Sequence, residues 1–287
     1  MISSPRLLCT IVFLLTSLIT FSVEPPRASL AATTSQTIGL TEVSVSYSRP
    51  NANERDIFGA LVPFDEVWRT GANEATVIEF STEATIGGHQ IAAGRYSLFT
   101  IPGKQTWTVI INETADQFGA FSYDASHDLF RFSAPARRVS DHQETFEIGF
   151  ANVGDNRADL ELRWGNLVTS IPISVTEETN HQQMLTAIRR DIIDGEAPTW
   201  GNYGEAARYY VARDIDLPQA IEWFEKCNEL NPDAWWMFVE KARALALAGR
   251  KDAAIAAVET AIQGAVDTGQ TDGENWARSV LAEINNS

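Results

Sequence analysis

The sequence predicts an α+β protein with segregated halves, an antiparallel β-sandwich followed by a short array of α-helices. Three observations carry that prediction. From Gln36 to about Val175 the apolar residues mostly alternate, the mark of strands that bury one face. Turn signals cut the alternation into short runs: Gly87-Gly88, Pro102-Gly103, Gly154-Asp155-Asn156 and Gly165-Asn166. From about Thr179 the apolar spacing changes to threes and fours, the period of a helix. At 287 residues, 44% hydrophobic and 21% charged, the chain can fill one large core or two ordinary ones.

The first thirty residues belong to neither half. Arg6 precedes LLCTIVFLLTSLITF, Leu7 to Phe21, which is shorter than the roughly 20 apolar residues a spanning helix needs. A basic start, a short apolar run and small residues at Ala31 and Ala32 read as a secretory signal peptide over residues 1–31. Cleavage after Ala31 presents Ser29 and Ala31 to the peptidase and leaves an exported chain, periplasmic or extracellular, without a stable membrane span. An uncleaved N-terminal anchor is the competing reading. A lipoprotein is disfavoured, because Cys9 sits early and follows Leu8. Cys9 departs with the signal, so Cys227 stands alone and no intramolecular disulfide can form.

The net charge is −16 at pH 7, and loss of residues 1–31, with Arg6, Arg27 and Glu24, makes it one unit more negative. A surface this acidic repels nucleic acid and anionic headgroups, and no Lys/Arg-rich run offsets it along the chain. Nucleic acid is therefore not an expected partner.

In the β-half, residues 33–176, the strands follow in order. Val43, Val45 and Tyr47 share a face of EVSVSYS, and Ile78 and Phe80 share one in TVIEF. RYSLFTI sets Tyr96, Leu98 and Thr100 against Ser97, Phe99 and Ile101. Trp107, Val109 and Ile111 come next, then Phe146, Ile148 and Phe150. Ala158, Leu160, Leu162 and Trp164 follow, and Ile171, Ile173 and Val175 close the set. Eight or nine short strands with turn-rich joints predict a sandwich or barrel. Neither a glycine-rich phosphate loop nor strand–helix alternation is present, which argues against a nucleotide-binding α/β domain.

In the helical half, residues 179–287, Ala220, Phe224 and Cys227 of QAIEWFEKCNELNP fall at helical spacing. Thirty-four residues later the same slots hold Ala254, Val258 and Ala261, and Pro232 closes the first set. Over roughly 200–265 this resembles the tetratricopeptide repeat, with Gly273–Ile284 as a capping helix. So short an array is expected to lean on the β-half.

The segment from Arg49 to Phe80, RPNANERDIFGALVPFDEVWRTGANEATVIEF, is the richest in chemistry. Its apolar anchors Ile57, Phe58, Leu61 and Val62 are those of a loop folded over an open end of a sandwich. Arginine offers a planar fork of donors suited to carboxylates and to backbone carbonyls. The run RPN…R.IFG.LVPF..VWRTGANEAT resembles the bacterial exported family called domain of unknown function 2911. IGGHQIAAGRYSLFTIPG at 86–103, WTVIIN at 107–112 and QFGAFSYD at 117–124 agree with it, so the resemblance covers about residues 33–176. The family often carries tryptophan where Phe118 stands. The resemblance implies a fold and export; it implies no activity.

Two readings of this segment stay open. In one, Arg49, Arg55, Arg69 and Glu74, with Asn51 and Asn73, frame a polar pocket for an anionic or sugar-like ligand, and Trp68 is a stacking wall. Phe118 and Tyr123, in a glycine-containing stretch after a strand, then line the same crevice. In the other, these residues form an internal network that fixes the corner. His89, His127, His142 and His181 show no metal-ligand spacing, and there is no G-x-S-x-G elbow. No cofactor, metal or catalytic set is therefore assigned. The expected protein is an exported, non-catalytic binding or scaffolding module whose partner is another protein or a small polar ligand. The rival class is a cell-envelope enzyme acting on a sugar or peptide through Arg69 and Glu74.

Overall fold

The computed structural model describes residues 27–287, so most of the expected signal peptide lies outside the described residues. The β-half begins with β1 (Leu30–Ile38), which pairs along its length with β2 (Thr41–Arg49). β3 (Thr76–Phe80), β4 (Ala84–Ile86), β5 (His89–Ile91), β6 (Gly94–Ile101) and β7 (Thr106–Asn112) follow. Two long strands, β8 (Asp128–Ala151) and β9 (Arg157–Ser174), complete it. Every pairing is antiparallel, in the order β1-β2-β3-β6-β7-β8-β9-β4-β5.

The sheet makes two layers because β8 serves both. Up to Pro135 it pairs with β7, and from Ala136 onward with β9. Its far half returns over β2, where Phe146 donates its N–H to the Pro50 carbonyl at 2.8 Å and Ala52 donates to Glu144 at 2.9 Å. The buried Tyr47 hydroxyl reinforces that closure, accepting from the Ile148 N–H at 2.9 Å and donating to the Ile148 carbonyl at 3.1 Å. Between the layers lie Phe80, Trp107, Phe146 and Trp164, all buried.

Two expectations change. Gly165-Asn166 is not a turn: β9 runs through it, with Gly165 at φ +57°. The pairing with β8 shifts register between Arg138 and Glu147, so this is a bulged bend in two long strands. A Cβ at Gly165 would come 2.9 Å from Ile57 Cδ1, so glycine there lets the Pro50–Pro63 loop seat on the bend. Second, β6 is buried on both faces. Leu98 enters the main core, while Phe99 and Ile110 form a smaller one with Ala75, under Val67, Ala120 and Tyr123. The segments 67–75 and 117–123 are thereby laid over the outside of β6 and β7.

The helices are α1 (Glu177–Ile188), α2 (Trp200–Arg213), α3 (Leu217–Leu230), α4 (Trp235–Leu247), α5 (Lys251–Asp267) and α6 (Thr271–Asn286). Side-chain caps start the first three: Thr176 accepts from the Thr179 N–H, Thr199 and Asn202 form a capping box, and Asp216 accepts from Gln219. Ala220, Phe224 and Cys227 of α3 and Ala254, Val258 and Ala261 of α5 are all buried, so the 34-residue correspondence marks equivalent faces. Burial pushes the Cys227 thiol up to about 11, which makes it a packing residue. Trp235 packs where α5 and α6 carry glycine: a Cβ would come 2.6 Å from its Cβ at Gly264 and 2.3 Å from its ring at Gly273. Gly264→Val is expected to lower stability by about 1–3 kcal/mol through overpacking. The check is a lower urea midpoint at unchanged slope.

The helical half meets the β-half through α1. Asn180 accepts the Leu40 N–H at 3.0 Å and donates to Asn156 at 2.7 Å. Gln183 donates to the hydroxyls of Thr41 and Thr82 at 3.0 and 2.9 Å. Among the described residues no helix is long and apolar enough to cross a membrane.

Candidate functional site

Two segments build the mouth of the sandwich. The first is the Pro50–Pro63 loop. Asn51 is held to β8 by the Thr145 hydroxyl, which donates to its side-chain oxygen at 2.6 Å. Asn53 and Glu54 then take left-handed conformations that turn the chain. Ile57 and Val62 are buried, so the loop is anchored at its middle and end. Arg55 uses Nε and Nη2 to donate to the carbonyls of Ala52 and Asn51, each at 2.8 Å. Its third nitrogen, Nη1, has no such tie.

The second segment is Val67–Ala75. Trp68 exchanges backbone hydrogen bonds with Thr100 of β6 at 2.7 and 2.9 Å, and its indole N–H donates to the Gly71 carbonyl at 3.1 Å. Its ring stacks on Trp164 at 6.0 Å and 17° and meets Phe58, Trp107 and Phe146 edge-on. Arg69 follows. Its Nε is buried and without a hydrogen-bond partner, and burial lowers the guanidinium pKa, although it stays charged. The Gly119 Cβ position lies 3.6 Å from Arg69 Nη1, so the 117–123 segment covers this arginine from outside.

Between these segments opens a crevice of 490 Å³, faced by Asn51, Asn53, Arg55, Glu66, Trp68 and Arg69, with Trp164 beneath and Ala28 and Ser29 at one rim. The structure thus brings together four residues singled out in the sequence: Asn51, Arg55, Trp68 and Arg69. The others lie elsewhere. Arg49 donates from Nε to the Phe146 carbonyl at 3.0 Å and lies 3.9 Å from Glu147, tying β2 to β8. Asn73 donates to the Ser29 carbonyl at 3.0 Å. Glu74 is half exposed and pairs with Arg27, whose hydrogen bond holds the carboxyl below its ordinary range. Phe118 is 62% exposed, and Tyr123 packs on Phe99 at 5.0 Å. Burial and hydrogen bonding to Asp128 at 2.7 Å push the Tyr123 phenol up to about 12. Asn53, Glu66 and Trp164 were not singled out as ligand contacts; Asn53 and Glu66 share the loop's sequence, and Trp164 reads as a core strand residue.

The crevice is rich in donors. Two guanidiniums and two carboxamides face it, with one carboxylate, Glu66, so it suits a ligand that presents oxygen acceptors. Among the described residues no group of three or more His, Cys, Asp or Glu side chains is placed to hold a metal ion. A family model described as a protein of unknown function (DUF2911) matches residues 29–173. No curated protein matches the chain.

Proposed function

The chain belongs to the DUF2911 family, and from that premise we propose that its β-half is a non-catalytic binding module for a small, acceptor-rich ligand, anionic or sugar-like. One observation carries the reading: two guanidiniums, Arg55 and Arg69, and two carboxamides, Asn51 and Asn53, face a 490 Å³ crevice with a single carboxylate, Glu66. Donors gathered on one wall in this way are met by the oxygens of a carboxylate or a hydroxyl-rich ligand through charge-assisted hydrogen bonds. The catalytic alternative through Arg69 and Glu74 has less support, since Glu74 faces Arg27 outside the crevice. The helical half, whose sequence resembles tetratricopeptide repeats, is proposed as the surface for a protein partner.

The test is thermal unfolding of the wild type and Arg69→Gln with glucuronate and with N-acetylglucosamine. At least one of these should raise the wild-type Tm and leave the variant's unchanged. No shift with either, or equal shifts in both proteins, overturns the reading.

Export is part of the proposal and rests on Arg6 and the Leu7–Phe21 run. The expected cleavage bond, Ala31–Ala32, falls inside β1, where Leu30 pairs with Arg49 and Ala31 with Ser48. Processing there removes Arg27 from Glu74 and Ser29 from Asn73. The intact mass of protein from an envelope fraction should begin at Ala32; retention of Met1 contradicts cleavage.

A further inference from the structure

A second crevice lies on the other side of the Arg55 loop, and its lining differs in kind. It measures 430 Å³, and four of its exposed walls are Arg55, Lys104, Arg138 and His142. Phe58 and Phe64, both partly buried, supply apolar surface, and Asp56 is the lone carboxylate in the lining. The fold gathers these cations from separate places: the Pro50–Pro63 loop, the turn between β6 and β7, and the bend of β8 where its register against β9 shifts.

Their pairing sets this crevice apart. Most arginines on this acidic chain meet a carboxylate: Arg95 with Asp116, Arg131 with Asp128, Arg137 with Glu161 and Arg213 with Glu177 are examples. Lys104 and Arg138 have no carboxylate within ion-pair distance among the described residues. Arg55 spends two nitrogens on loop carbonyls and makes no carboxylate ion pair at contact distance, though its charge acts on Glu144. His142 reaches Asn166 at 3.3 Å and Glu144 at 3.4 Å. Three permanent positive charges therefore line one concave surface of a protein whose net charge is −16. Concave, low-dielectric walls focus such a field, and the charges repel one another unless an anion lies between them.

We infer that this crevice is an anion-binding site that takes a small molecule bearing a carboxylate or phosphate group, held by Lys104, Arg138 and the free edge of Arg55. The apolar rings of Phe58 and Phe64 suit the carbon skeleton of that molecule. The site stands on residues that do not face Arg69, apart from the shared Arg55 and the shared floor at Trp164, and holds whether or not the first crevice is occupied.

Calorimetric titration of the full chain with inorganic phosphate, and separately with succinate, tests it and tells the two anion chemistries apart. At least one should bind saturably at one per chain, with affinity falling as sodium chloride rises. The double variant Lys104→Gln/Arg138→Gln, two exposed positions, should weaken that binding at least tenfold. Arg208→Gln/Lys226→Gln, the same charge change on α2 and α3, should leave it within about twofold, since exposed charges farther away than a Debye length of about 10 Å are screened. Absence of saturable binding with both anions overturns the inference. So does equal affinity in wild type and the Lys104/Arg138 variant, or an equal loss in the Arg208/Lys226 variant. The Arg69→Gln thermal shifts and the Lys104/Arg138 titration read different residues, so either proposal can fail alone.

Discussion

Replacing Trp164 by alanine is expected to destabilise the protein by about 3–5 kcal/mol, the range for deleting a buried aromatic side chain. Trp164 is 2% exposed and meets Phe58 at 6.1 Å, Trp68 at 6.0 Å and Phe146 at 5.7 Å. Its indole N–H donates to the Glu144 carbonyl at 3.0 Å, beside the point where β8 returns over β2. Alanine there removes a ring touching three others and one of the two hydrogen bonds that the Glu144 carbonyl accepts. Because Trp164 also lies beneath both crevices, the loss extends beyond packing. Urea unfolding followed by tryptophan fluorescence measures the energy, and the anion titration and the ligand-induced rise in Tm should weaken together. A stability loss below about 1 kcal/mol would mean that the aromatic cluster closes over the gap unaided.

Tyr47→Phe is the second large effect, and it removes a single oxygen. That oxygen bonds both backbone groups of Ile148, where two strands meet through a side chain instead of a direct ladder. Phenylalanine keeps the ring's edge-on contact with Phe146 at 5.8 Å but leaves a buried N–H and carbonyl unpaired. The expected loss is about 1–3 kcal/mol. Tyr96→Phe is the internal comparison: its hydroxyl bonds the Ala92 carbonyl near the surface and should matter by less than about 0.5 kcal/mol. Similar losses in both would remove the special role of Tyr47 in closure.

The strands legible in the sequence are those with one clean core face. β2 and β3 carry Val43 and Ile78 in alternating positions, and burial follows the alternation. The first part of β8 carries a weaker signal: Phe130, Phe132 and Ala134 alternate inward, but the two rings are only partly buried and the apolar Leu129 beside them points outward. Helix periods survive because small residues such as Ala220 and Ala254 recur wherever helices press together.

The site was partly legible for a related reason. An arginine beside an aromatic at the edge of a strand marks Arg69 and Trp68, but direction is decided by the backbone. Thr70 at φ +56° and Asn73 at φ +57° reverse the chain between Arg69 and Glu74, so sequence neighbours face different surroundings. Arg49 looks equivalent to Arg55 in the sequence, yet it reaches β8 because β2 still runs straight at that point. The cationic crevice had no linear trace. The chain contains no basic run there, and only the β8 bend brings Lys104, Arg138 and His142 to one wall.

A strand common to both layers has a mechanical corollary. Neither layer can peel away without breaking the other's hydrogen bonds, because Asp128–Pro135 and Ala136–Ala151 are one covalent ribbon. Amide hydrogens on either side of that junction should exchange at a shared slow rate, as members of one foldon, and vanish from protection together when it opens.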